Sequence, residues 1–137
     1  MSGICLSFSE LHQYAEELGI RIRTVGCVYL VDLFGDVDKY TCSKLRRTIM
    51  DLMEQGMRQV VIGMENVDYI DSSGLGSLVD SLLNVNRRNG ELAVSGASPR
   101  VRKALGVTGL SKIIPLFNSE ADAISSFGFE DELPLAA

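Results

Sequence analysis

Residues 59–78, QVVIGMENVDYIDSSGLGSL, join a strand pattern to a helix pattern through one short loop. Residues 59–64 are apolar and rich in β-branched side chains, which is typical of a central strand that is buried on both faces. From Leu75 onward, apolar residues recur at three- and four-residue intervals, which predicts a helix that ends near Gly90. Its apolar face would comprise Leu75, Leu78, Val79, Leu82 and Leu83. A strand that runs through a loop into a helix is the repeating unit of an α/β domain.

Two further strands are predicted upstream of this stretch. Ile20, Ile22 and Thr24 alternate with two arginines, which is typical of a half-exposed strand. Gly26 interrupts that pattern, and residues 27–34, CVYLVDLF, predict a more buried strand. The break between the two strands is short, so we expect an antiparallel hairpin with the arginine-bearing strand at the sheet edge.

Helices and strands alternate through the rest of the chain. Thr41 can cap a helix that ends at Gly56 and has apolar residues at positions 45, 49, 52 and 53. Residues 91–95 and 113–117 predict two more strands, the second at an edge because a proline lacks the N–H donor that a central strand needs. Two more helices are predicted to begin near Ser98 and Ser119.

These patterns predict an α/β fold with one domain at residues 19–128. Its sheet would be mixed and five-stranded, with helices packed on it. Residues 1–18 are predicted to form an N-terminal helical extension, because Ser7 and Glu10 match a capping box and apolar residues follow at helical spacing. Residues 129–137 are predicted to form an acidic tail.

The composition excludes several classes of function. Net charge is −5, from 13 Lys and Arg against 18 Asp and Glu, which disfavours a dedicated nucleic-acid binder. The chain has no apolar run long enough to span a bilayer and no secretory signal, so we expect a cytoplasmic location. Cys5, Cys27 and Cys42 form no CxxC and are predicted to be reduced and mostly buried. His12 is the only histidine, which nearly removes His-based metal sites and Ser-His hydrolases.

The loop before the second helix carries the candidate chemistry. Asp71, Ser72 and Ser73 are all favourable N-cap residues, so one of them should lie at the helix start. Gly74 and Gly76 are poor helix formers, and their presence is explained if something approaches the backbone closely or if the turn needs a positive φ. Tight packing of the turn would explain one cap and one glycine, and explains the whole motif less well.

Three phosphate-related or nucleophilic roles compete for this loop. A nucleotide cradle lacks the Lys that follows the glycines of a P-loop, and the stretch SGLGSL lacks the last glycine of a dinucleotide fingerprint. A nucleophilic role for Ser72 or Ser73 lacks both the G-x-S-x-G elbow and a nearby histidine base. The third role is that a serine hydroxyl is itself the substrate of a kinase, because a helix N-terminus accommodates a phosphate.

The motif IDSSGLGSLVDSL, with its flanking segments QVVIGMENVDY and NGELAVSGASPRVRKALGVTGL, resembles the STAS domain of bacterial anti-sigma factor antagonists. The resemblance covers roughly residues 20–127. Residues 35–56, GDVDKYTCSKLRRTIMDLMEQG, are similar to the family's acidic loop and the helix that follows it.

This resemblance implies a switch between partners. Ser72 would be phosphorylated by an anti-sigma factor that is a serine/threonine kinase, related in fold to histidine-kinase ATPase domains. The unphosphorylated chain would bind that anti-sigma factor and free its sigma factor, and a PP2C-type phosphatase would remove the phosphate. Ser73 is predicted to be the helix cap or a hydrogen-bonding residue within the turn. The implied partner-binding residues are Asp36, Asp38, Asp71, Ser73, Gly74, Leu75 and Gly76.

Neither catalysis, nor a cofactor, nor a metal site is predicted. Two alternatives remain within the same family. The chain could be a scaffold subunit of a stress-sensing complex, or a soluble accessory subunit of a membrane lipid transporter; such transporter subunits often lack a serine at the position of Ser72. Minimal family members lack the N-terminal extension, so the partner and a homodimer stay open.

Overall fold

A computed structural model describes residues 18–128. Its five strands are β1 (Gly19–Val25), β2 (Val28–Phe34), β3 (Gln59–Asn66), β4 (Glu91–Ser95) and β5 (Leu116–Phe117). Its α-helices are α1 (Cys42–Glu54), α2 (Ser72–Arg87), α3 (Pro99–Val107) and α4 (Glu120–Ser125), and a 3-10 helix spans Leu110–Lys112. The predicted N-terminal helix, apart from Leu18, and the predicted acidic tail lie outside the described residues.

The strands form one mixed sheet in the order β1-β2-β3-β4-β5. β1 pairs antiparallel with β2, with Gly19 opposite Phe34, whereas β2, β3, β4 and β5 run parallel to one another. The α/β class, the five-stranded mixed sheet and the edge position of the arginine-bearing strand are therefore confirmed. Because four strands are parallel, their carboxyl ends and the loops that follow them meet at one edge of the sheet.

Apolar residues fill both faces of the sheet. The larger cluster lies between the sheet and helices α1, α2 and α3, and includes Val31, Ile62, Leu45, Leu78 and Leu105. The smaller cluster occupies the opposite face, where Val28, Leu30, Val61 and Ala93 pack with Ala123 of α4. β3 contributes to both clusters, as its apolar run predicted, because successive side chains of a strand point to opposite faces.

A buried carboxylate ties the hairpin to α4. Asp32 of β2 is only 7% exposed and accepts hydrogen bonds from Arg21 Nε at 3.0 Å and Arg23 Nε at 2.8 Å. Arg23 also pairs with Glu120 of α4. Burial raises the pKa of the Asp32 carboxyl, but the hydrogen bonds from Arg23 and Arg21 outweigh it, so that pKa lies below its usual value.

Three local predictions are wrong. The last strand is shorter than residues 113–117, because the amides of Ile113 and Ile114 both donate to the Leu110 carbonyl and so lie in the turn that follows the 3-10 helix. Cys27 is exposed in the hairpin turn, although Cys42 is buried as expected. Leu83 is exposed on α2, whose buried face instead continues through Val85.

Candidate functional site

Two loops run side by side at the carboxyl edge of the sheet. Loop A (residues 35–41) follows β2, and loop B (residues 67–71) follows β3. The Val37 amide donates to the Tyr69 carbonyl at 3.0 Å, and the Asp71 amide donates to the Val37 carbonyl at 3.1 Å. Val37 and Ile70 form an isolated parallel bridge. These contacts bring the predicted residues of loop A next to the DSSGLG motif.

Asp71 is the N-cap of α2. Its Oδ1 accepts a hydrogen bond from the Gly74 amide at 2.9 Å, and its carbonyl accepts one from the Leu75 amide at 2.9 Å. Its Oδ2 accepts a longer hydrogen bond, 3.3 Å, from the Lys39 amide of loop A. Of the three residues predicted as possible caps, Asp71 therefore lies at the helix start, and of the two roles predicted for Ser73 the cap is wrong.

Ser72 is the first residue of α2, and it is exposed. Ser73, the next residue, is partly buried. The first amides of a helix have no partner within it, and they point out of the helix end beside Ser72. The hydroxyl of Ser72 is therefore the more accessible of the two to another protein.

The glycines of the motif have different surroundings. A Cβ atom on Gly74 would collide with the Val37 carbonyl and would lie 2.7 Å from Ile70 Cγ1, so loop A itself makes the close approach that was expected. A Cβ atom on Gly76 would meet nothing within 4 Å. Leu75 is 8% exposed and belongs to the larger core cluster, so its side chain packs inward. Partner binding by Gly74, Leu75 and Gly76 stays a prediction.

The conformation of loop A is stabilised by hydrogen bonds to the carboxylate of Asp38, which belongs to the same loop. Asp38 Oδ1 accepts hydrogen bonds from the amides of Tyr40 at 2.9 Å and Thr41 at 3.1 Å. Thr41 is at the N-cap position of α1, but its hydroxyl makes no cap hydrogen bond and instead contacts the Asp36 carbonyl at 2.8 Å. The predicted capping role of the Thr41 side chain is thus wrong. Asp36 itself is exposed.

The two loops carry a local excess of negative charge. Loops A and B contain four carboxylates against a single cation, Lys39, which gives a local charge of 1 − 4 = −3. The carboxylates are Asp36, Asp38, Asp68 and Asp71. Across residues 18–128, no group of three or more His, Cys, Asp or Glu side chains is placed to hold a metal ion. No helix in that range is both long enough and apolar enough to cross a membrane.

Comparisons with known proteins agree with this geometry. The model of the STAS domain family matches residues 19–123. The anti-sigma-B factor antagonist of Staphylococcus aureus is 33% identical over 97 residues, which is 71% of this chain and 90% of that protein. The chain belongs to the STAS-domain family of anti-sigma factor antagonists. The residues that match the family model include the whole sheet, the two loops and helices α1, α2 and α3.

Solved structures show the same fold. An anti-sigma factor antagonist from Mycobacterium paratuberculosis superposes with a TM-score of 0.73 at 23% identity, covering 80% of this chain and 92% of that one. The phosphorylated form of SpoIIAA, the Bacillus cell fate determinant, superposes with a TM-score of 0.63 at 22% identity, covering 80% of this chain and 99% of that one. At these identities the likeness establishes the fold.

Some residues of the site were not singled out from the sequence. Lys39 is joined through its amide to Asp71, and Tyr69 is joined through its carbonyl to Val37. Their position in the sequence could have identified them, because loops that follow adjacent parallel strands must be neighbours. Residues next to a predicted site residue in such loops were therefore candidates.

Proposed function

We propose that this STAS domain is an anti-sigma factor antagonist whose binding is switched off by a phosphate on Ser72. The partner is an anti-sigma factor that is also a serine/threonine kinase, and a PP2C-type phosphatase restores the binding form. The chain itself is a cytoplasmic binding module without catalytic activity. The curated relative from Staphylococcus aureus carries the name of an anti-sigma factor antagonist, and this name supports the proposal.

The observation that carries the proposal is the position of Ser72. It is exposed at the first position of a sixteen-residue helix, directly after the aspartate that caps that helix. A kinase can reach its hydroxyl without unwinding α2, because the capping hydrogen bond belongs to Asp71. SpoIIAA, which has this fold, was solved in a phosphorylated form, so the fold accommodates such a group.

The expected effect of the phosphate is electrostatic. Phosphoserine adds about −1.5 to −2 charges at neutral pH. The helix N-terminus favours that charge, whereas the neighbouring carboxylates of loops A and B oppose it. A partner that covers this surface must remove water from the phosphate, which is costly unless the partner supplies matching cations. Phosphorylation therefore acts on binding and leaves the fold intact.

The test uses purified chain, ATP and the serine/threonine anti-sigma factors of the source organism. Phosphopeptide mapping should place the phosphate on Ser72, and Ser72→Ala should abolish phosphorylation while it retains binding. Phosphate on Ser73 alone would contradict the assignment. Failure of the unphosphorylated chain to bind any of these anti-sigma factors would contradict the function.

A further inference from the structure

Exposed aromatic rings are concentrated at the carboxyl edge of the sheet, the edge at which α2 and Ser72 begin. Within residues 18–128, the exposed aromatic side chains are Tyr40 at 69%, Tyr69 at 44% and Phe34 at 36%. Tyr40 lies in loop A, Tyr69 lies in loop B, and Phe34 ends β2 directly before loop A. All three therefore lie at the carboxyl edge of the sheet. Exposed aliphatic side chains such as Ile22, Val107 and Ile113 lie in other elements.

The pairing of the two loops directs Tyr69 outward. Val37 and Ile70 form the bridge between the loops, and both side chains are buried. Adjacent residues of an extended segment point to opposite sides. Tyr69, which precedes the buried Ile70, therefore points away from the core, and its side chain is 44% exposed.

The backbone that carries these rings is fixed by hydrogen bonds. The Tyr40 amide donates to Asp38 Oδ1 at 2.9 Å, and Lys39 Nζ lies 5.1 Å from the centre of the Tyr40 ring. The Tyr69 carbonyl accepts a hydrogen bond from the Val37 amide. Rings held on ordered loops lose little conformational freedom on binding, and tyrosine is enriched among the residues that dominate interface energies.

We propose that Tyr40 and Tyr69, one on each of the two paired loops before α2, anchor the partner that covers this surface. This inference rests on the proposed function and deepens it. The occupant is the anti-sigma factor kinase, whose docking surface would carry apolar recesses for the two rings and basic side chains opposite loops A and B. Charge complementarity requires the basic side chains, because the two loops together carry a charge of −3.

The test measures the affinity of the kinase that phosphorylates Ser72 for wild type and for four variants. Tyr40→Ala and Tyr69→Ala should each raise Kd by about tenfold or more, whereas Tyr69→Phe, which keeps the ring, should stay within about twofold. Val107→Ala removes an exposed side chain, 77% accessible, from α3 and serves as the off-site control, with an unchanged Kd. All four variants should melt like wild type, because each changed side chain is exposed.

The salt dependence of Kd and the Kd values of the Ser72 variants distinguish failure of this inference from failure of the proposed function. Raising NaCl from about 0.1 M to about 1 M shortens the screening length from about 10 Å to about 3 Å and should weaken binding by about tenfold. Wild-type Kd for both tyrosine-to-alanine variants, or a Kd insensitive to salt, would overturn the inference even if Ser72→Glu abolishes binding. If the tyrosine-to-alanine variants bind weakly while Ser72→Ala and Ser72→Glu bind with equal Kd, the anchoring role of the two tyrosines is supported and the proposed control by a phosphate on Ser72 is rejected. If the wild-type chain binds none of the anti-sigma factors, both the anchoring role of the tyrosines and the proposed function are rejected.

Discussion

Replacement of Gly74 by alanine should separate loop A from the start of α2. The added Cβ would collide with the Val37 carbonyl, which is backbone and cannot rotate away. Overpacking of this kind costs about 1–3 kcal/mol. Movement of Val37 also strains its two hydrogen bonds to loop B, each worth about 1 kcal/mol. We expect a net loss of about 2 kcal/mol, after allowing for the better helix propensity of alanine.

Gly76→Ala is the matched control. It lies two residues further along the same helix, and its Cβ would meet nothing within 4 Å. It should therefore gain about 0.5–1 kcal/mol from helix propensity alone. At roughly 4 °C per kcal/mol for a domain of this size, Gly74→Ala should melt about 8 °C below wild type and Gly76→Ala slightly above it. A Gly74→Ala variant that melts at or above Gly76→Ala would refute this account of the motif.

Three further predictions concern the caps and the buried carboxylate. Ser72→Ala and Ser72→Glu should melt within about 2 °C of wild type, since Ser72 makes no capping hydrogen bond, and a large fall would contradict this. Asp71→Ala should lose about 0.5–2 kcal/mol in urea unfolding because the cap to α2 is removed, and wild-type stability would refute the assigned cap. Asp32→Asn should lose about 2 kcal/mol at neutral pH because its bonds to Arg21 and Arg23 weaken. Because the folded pKa of Asp32 is lowered, its stabilisation is present above the unfolded pKa of about 3.9 and is lost as pH falls further. The difference between Asp32→Asn and wild type should therefore shrink below about pH 4, and a constant difference down to pH 2 would contradict the role of the carboxylate.

The sheet could be predicted because its patterns are local. Alternation at residues 20–24 predicted the half-exposed edge strand, and the continuous apolar run from residue 59 predicted the central one. The last strand was predicted too long because the run of apolar residues around Pro115 is compatible with either a strand or a turn. Only the hydrogen bonds from Ile113 and Ile114 to Leu110 distinguish the two cases.

The sequence did not show how the starts of α1 and α2 are capped. Asp71, Ser72 and Ser73 are nearly equivalent as caps, and their order along the chain does not decide which one turns toward the helix amides. At loop A, the Thr41 hydroxyl donates to the Asp36 carbonyl and accepts no amide from the first turn of α1, a choice that residue type alone does not decide. The reason for Gly74 depends on Val37, which is distant in sequence, so the glycine pattern alone could not identify what approaches it.

The central claim is that a phosphate on Ser72 controls binding without changing the fold. Its most direct test is the Kd of the anti-sigma factor kinase for the chain that is stoichiometrically phosphorylated on Ser72, beside the unphosphorylated chain. We predict that the phosphate raises Kd by about two orders of magnitude, equivalent to about 3 kcal/mol, while the melting temperatures of the two forms agree. Equal Kd values for the two forms would contradict the claim.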